Sequence, residues 1–197
     1  MRPNRSTMKN LLFLTLSLLV LSAAQAQSSA SKVPVLDKSP MDMAYYPANY
    51  PVLKIQDKAT EPLVARVIYS RPQKNNRAVF GELVEFNKVW RLGANEATEI
   101  EFYRDVKIGG KKVPKGKYTM YAVVSPTEWN IIINKETDIW GAFKYDEKKD
   151  MVRVPVAVQK TAEMVEPFSM YFDKSANGLS LNMAWENLQV ALPISLK

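Results

Sequence analysis

Tyr118-Thr119-Met120-Tyr121-Ala122-Val123-Val124 and, three residues on, Glu128-Trp129-Asn130-Ile131-Ile132-Ile133 decide the fold. Tyr118, Met120, Ala122 and Val124 share one face of the first run, and Trp129, Ile131 and Ile133 share one face of the second. Successive side chains of a strand point to opposite faces, so this period of two predicts half-buried strands. The pattern spreads outward in both directions. Leu63, Ala65, Val67 and Tyr69 alternate upstream, as do Ile100 and Phe102 between Glu99, Glu101 and Tyr103. Downstream, Val152, Val154, Val156 and Val158 alternate, then Phe168, Met170 and Phe172. Leu179, Leu181, Met183 and Trp185, followed by Val190, Leu192 and Ile194, complete the series. Gly109-Gly110 and Asn177-Gly178 separate such runs and predict hairpin turns. Many short strands with frequent turns predict an all-β antiparallel sandwich, with a jelly-roll as one form of it. One or two short helical turns are expected, near Phe80–Phe86 and near Thr137–Trp140, with Thr137 as the N-cap.

The start of the chain predicts export. Arg2, Arg5 and Lys9 precede an apolar run from Leu11 to Leu21, and Ala24-Gln25-Ala26 supplies the small-x-small cleavage pattern. The run falls short of the ~20 residues that span a bilayer. Residues 1–26 are therefore expected to be a signal peptide, with no membrane span after cleavage. Residues 27–62 read as an extended lead-in in which Pro34, Pro40, Pro47, Pro51 and Pro62 break every regular element, while Tyr45, Tyr46 and Tyr50 dock on the domain. Residues 63–197 are expected to form the sandwich. A periplasmic location is preferred over release.

Composition excludes several functions. The chain has no Cys and no His, so it lacks thiol catalysis, disulfides, the Ser-His-Asp triad and the commonest metal ligands. A net charge of +7, scattered along the chain, does not predict nucleic-acid binding. Asp146-Glu147-Lys148-Lys149-Asp150 fits no calcium loop and reads as a solvated turn. No cofactor or metal is expected.

Three segments mix aromatic, charged and amide side chains: Tyr69-Ser70-Arg71-Pro72, Val89 through Thr98, and Asp138 through Asp146. Arg71, Arg91, Asn95, Glu96, Trp140 and Tyr145 are the candidate ligand-binding residues, as donors and acceptors beside an aromatic wall. The plainer reading, an internal Arg–Glu network with Asn95 bonding its own backbone, is preferred for the polar four. Trp129 and Trp185 belong to the core, and Trp140 with Tyr145 could form an exposed platform. Glu99 and Glu101 face solvent and do not form a glycosidase pair.

The runs Tyr69-Ser70-Arg71-Pro72, Phe80-Gly81-Glu82-Leu83, Trp90-Arg91-Leu92-Gly93-Ala94-Asn95-Glu96-Ala97-Thr98, Glu128-Trp129, Trp140-Gly141 and Ala184-Trp185-Glu186 resemble the domain of unknown function 2911 family over roughly residues 38–195. The resemblance implies an exported protein of a Gram-negative bacterium with one compact domain, and supplies no activity and no catalytic residues. A binding or interaction module for a small polar ligand is therefore the preferred function. The alternatives are a carboxylate-dependent hydrolase of envelope material and a docking module for an envelope partner protein.

Overall fold

The structure, a computed structural model, describes residues 33–197, and the expected signal peptide lies outside them. Strand alternation becomes two packed antiparallel sheets in the unit Asp37–Lys197. The larger sheet runs β1 (Met41–Tyr46), β2 (Ala65–Ser70), β4 (Glu99–Phe102), β7 (Gly116–Val124), β8 (Glu128–Asn134), β9 (Asp150–Ala157). A short β3 (Val89–Trp90) pairs with the far end of β7, beyond the stretch that β4 occupies. The smaller sheet runs β10 (Gln159–Ser175), β11 (Gly178–Ser195), β5 (Val106–Ile108), β6 (Lys111–Val113).

The alternating residues meet between the sheets. Met120, Ala122, Val124, Trp129, Ile131 and Ile133 are buried with Phe168, Leu181, Met183 and Trp185 from the opposite side. Aromatics fill one part of this core: Trp90 stacks on Trp185 at 6.1 Å, and Phe80, Trp129 and Phe168 close around them. Two of the buried indoles have partners for their N–H, Trp90 donating to the Gly93 carbonyl and Trp185 to the Glu166 carbonyl. Tyr69 pins the sheets together, donating its hydroxyl to the Met170 carbonyl and accepting from the Met170 N–H at 2.9 Å. A buried hydroxyl left unpaired would cost about 1–3 kcal/mol, so this double bond fixes the register of β2 against β10.

Both expected hairpins form. Gly109 (φ 57°) and Gly110 (φ 77°) both take the left-handed conformation of the mirror-image turn that suits the twist of paired strands. In the second hairpin Ala176-Asn177 make the turn and Gly178 opens β11.

Two expectations need correction. The Phe80–Phe86 and Thr137–Trp140 segments are not helical. Gly81 at φ 95° and Asp138 at φ 61° interrupt any right-handed turn there. The helical pieces are α1 (Tyr50–Ile55), with Pro51 in its first turn where no N–H is needed, and a 3-10 turn at Glu147–Lys149. The lead-in is also more regular than its prolines suggest. Between Pro40 and Pro47 the chain forms β1, an edge strand fully paired with β2, and Tyr46 is buried against Phe172.

Candidate functional site

A second, small apolar cluster lies on the outer face of the larger sheet. Tyr121 and Ile132, which point away from the main core, are buried there with Ala97. Two loops cover them. Ala97 N–H donates to the Ile139 carbonyl, Gly141 N–H donates to the Asn95 carbonyl, and Glu96 bridges to Trp140. The 89–98 and 138–146 segments therefore meet through their backbones. Gly93 brings in the third segment: at φ 149° its Cα passes so close to β2 that a Cβ would stand 3.0 Å from the Ser70 carbonyl oxygen. Thr98 Oγ1 closes the loop by donating to the Leu92 carbonyl, with Leu92 fully buried as its plug.

Although the three segments converge, their candidate side chains go to different places. Arg71 is spent on structure. It donates to the Phe168 carbonyl, to Ser169 Oγ and to Asp42 at 2.9 Å, strapping β1 and β10 to the end of β2. Tyr145 packs edge-on against Tyr121 and donates to Asp150 at 2.6 Å, while Arg153 donates to both of them. Burial, then the bond to Asp150, pushes the Tyr145 hydroxyl well above its ordinary range. Asn95 sits at φ 57° and holds the loop through its carbonyl. Glu96 is exposed beside Met41, Ile68 and Asp138, and Trp140 is 61% exposed.

Arg91 differs from these. Its Nε, like that of Arg66, is buried with no hydrogen-bond partner among the described residues, and burial lowers the Arg91 guanidinium below its usual range. Among the described residues Arg66, Arg71, Arg77, Arg104 and Arg153 each donate to an oxygen, and Arg91 does not. The expected Arg–Glu network pinning the loops to the sheet is not seen among the described residues: Arg71 pairs with Asp42, and neither Arg71 nor Arg91 pairs with Glu96. Arg91 instead lines a cavity of about 300 Å³ with Leu83, Val89, Trp90, Ala142 and Phe143. At its edge Lys88 pairs with Glu85 at 2.6 Å. A wider cleft of about 670 Å³ near Lys107, Gly109, Asn177 and Pro193 has no buried unpaired polar group in its lining.

Glu99 and Glu101 lie on the outer face, half-buried in ion pairs: Glu101 with Arg66 at 2.6 Å and Glu99 with Lys117 at 3.2 Å. Lys117 also holds Asp138 at 2.8 Å. Tyr103 donates to Glu101 at 2.7 Å; partial burial, then this bond, pushes its hydroxyl up to about 12 from the ordinary 10.0. Between those values the tyrosine is neutral when folded and ionised when unfolded. Its contribution to stability is whole below pH 10.0, falls as pH rises and is gone above about 12. Tyr103→Phe should flatten, in part, the loss of melting temperature over this range. An unchanged slope would assign the alkaline loss to the other raised tyrosines, Tyr46, Tyr69, Tyr118, Tyr121 and Tyr145.

The chain matches, over residues 53–194, the family described as protein of unknown function (DUF2911). It belongs to the DUF2911 family. No curated protein and no solved structure matches the chain. The matched span of this DUF2911 domain begins inside α1, so β1 lies before it. It includes Arg71, Arg91, Gly93, Asn95, Glu96, Trp140 and Tyr145. Among the described residues of the domain no group of three or more carboxylates is placed to hold a metal ion, and no helix is long and apolar enough to cross a membrane. Sequence reading missed Leu83, Val89 and Phe143 as cavity residues. The available signal for Phe143 was a large ring in an aperiodic, Gly-containing connection.

Proposed function

We propose that this DUF2911 protein is a non-catalytic binding module, acting in the periplasm after export, whose ligand is an anion held by Arg91. The observation that carries this is the half-buried Arg91 guanidinium, which has no acceptor among the described residues and lines a cavity. A buried donor without a partner costs about 1–3 kcal/mol, and more for a charged group. A structural arginine recovers that cost inside the protein, as Arg71 does through its three acceptors. At Arg91 a bound carboxylate or phosphate would supply the charge-assisted bonds that the fold leaves out. The hydrolase alternative gains little: Glu99 and Glu101 are committed to ion pairs and Glu96 stands exposed.

The test compares wild type with Arg91→Gln. Acetate and inorganic phosphate, each titrated at constant ionic strength, should raise the melting temperature of the wild type. At 100 times the dissociation constant the gain is about 2.7 kcal/mol. Arg91→Gln should abolish this gain while its own stability stays level or rises by up to about 1 kcal/mol, because an unpaired charge is removed. A variant that is strongly destabilised yet still responds to the anions would make Arg91 structural and overturn the proposal.

A further inference from the structure

The wall facing Arg91 says more about the ligand than its charge does. Phe143 is 86% exposed and Leu83 43%, and both line the same cavity as the guanidinium. The Phe143 ring lies across the backbone of Gly141, close enough that a Cβ there would meet the ring at 2.6 Å. The ring thus has glycine beneath it and open space above it. Val89 and Ala142 extend the apolar wall, and buried Trp90 adds to it. A bare inorganic ion would satisfy Arg91 and leave this wall wet. A neutral sugar would leave the cation unpaired.

Cavity charge narrows the choice further. The Lys88 ammonium is already neutralised by Glu85 at 2.6 Å, so Arg91 is the one uncompensated cation in the lining. That balance suits one negative charge. The volume, about 300 Å³, equals the room of roughly ten water molecules. That is room for a headgroup with a short body against the wall.

We infer that the Arg91 cavity takes a monocarboxylate with a short apolar body, an acyl or aromatic acid, whose carboxylate meets the guanidinium and whose body lies against Leu83 and Phe143. This rests on the anion-binding reading above and specifies its ligand class. Affinity should climb with each added methylene that lies on the apolar wall and level off once the chain runs past it.

The experiment is calorimetric titration of the full protein with acetate, butanoate, hexanoate, octanoate and phenylacetate at fixed pH and ionic strength, with 1-hexanol as a neutral control. Burying one methylene is worth about 0.8 kcal/mol, so affinity should rise roughly threefold to fourfold per carbon before the plateau. Phe143→Ser, at a position too exposed to carry the fold, should retain acetate binding and flatten the chain-length series. Arg91→Gln should lose every acid. Equal affinity for acetate and octanoate, both lost in Arg91→Gln, would overturn the apolar body and leave the anion site standing. Tight binding of 1-hexanol, or no binding of any acid while phosphate still binds, would overturn the acid and leave the anion site standing; acids that bind Arg91→Gln as well as wild type, or no binding of any acid or of phosphate, would overturn both.

Discussion

Trp185→Ala should lower the unfolding free energy by about 3–5 kcal/mol, the cost typical of deleting a large core aromatic. Trp185 is 1% exposed and touches Trp90, Phe80 and Phe168, so its removal opens a void that no single neighbour can fill. The Glu166 carbonyl also loses its indole donor. Domains of this size hold about 5–15 kcal/mol in total, so the variant would retain a small margin at most. Urea unfolding should shift to a much lower midpoint with the slope preserved. Trp185→Phe, which keeps a ring but loses the indole N–H, should recover about half of the loss. A Trp185→Ala protein within about 1 kcal/mol of wild type would mean that the aromatic cluster relaxes freely and does not hold the sheets together.

Gly93→Ala should cost about 1–3 kcal/mol and weaken anion binding at the same time. The backbone at φ 149° is one that side-chain-bearing residues rarely adopt, and the new Cβ would press on the Ser70 carbonyl at 3.0 Å, within the paired strand β2. Strand β2 is flanked by β1 and β4, so the loop has to yield, and Arg91 sits two residues away on that loop. Gly110→Ala is the control. It carries similar backbone strain at φ 77°, but its Cβ would meet nothing within 4 Å. It should cost about 1 kcal/mol and leave binding unchanged. Denaturation and anion titration of both variants check this, and equal losses of binding would detach the loop from the site.

Much of the architecture was legible because strand burial has a local signature. Met120, Ala122 and Val124 occupy alternate positions on one strand, and the same residues face the core. Gly109-Gly110 predicts its turn because few other residues take two left-handed conformations in succession. Ile131-Ile132-Ile133 carried a second message that alternation alone does not read. Three consecutive apolar residues mean burial on both faces, and Ile132 belongs to the outer cluster beneath the loops. Pro40 and Pro47 pointed away from regular structure, yet they bracket β1, since proline is tolerated at the ends of an edge strand.

The candidate site divides along the same line. Sequence by itself determined the all-β class, the hairpins, the absence of histidine and cysteine chemistry, and the segments where polar and aromatic residues gather. Each of these depends on residue type or on near neighbours in the chain. It could not separate Arg71 from Arg91. Both are arginines at strand ends beside aromatic residues, and one is consumed by Asp42, Phe168 and Ser169 while the other is left without a partner. Only the tertiary structure decided between them. The acceptors that satisfy Arg71 come from β1 and β10, far from it in sequence, and whether a charge is paired depends on which oxygens folding brings within 3 Å or so of it.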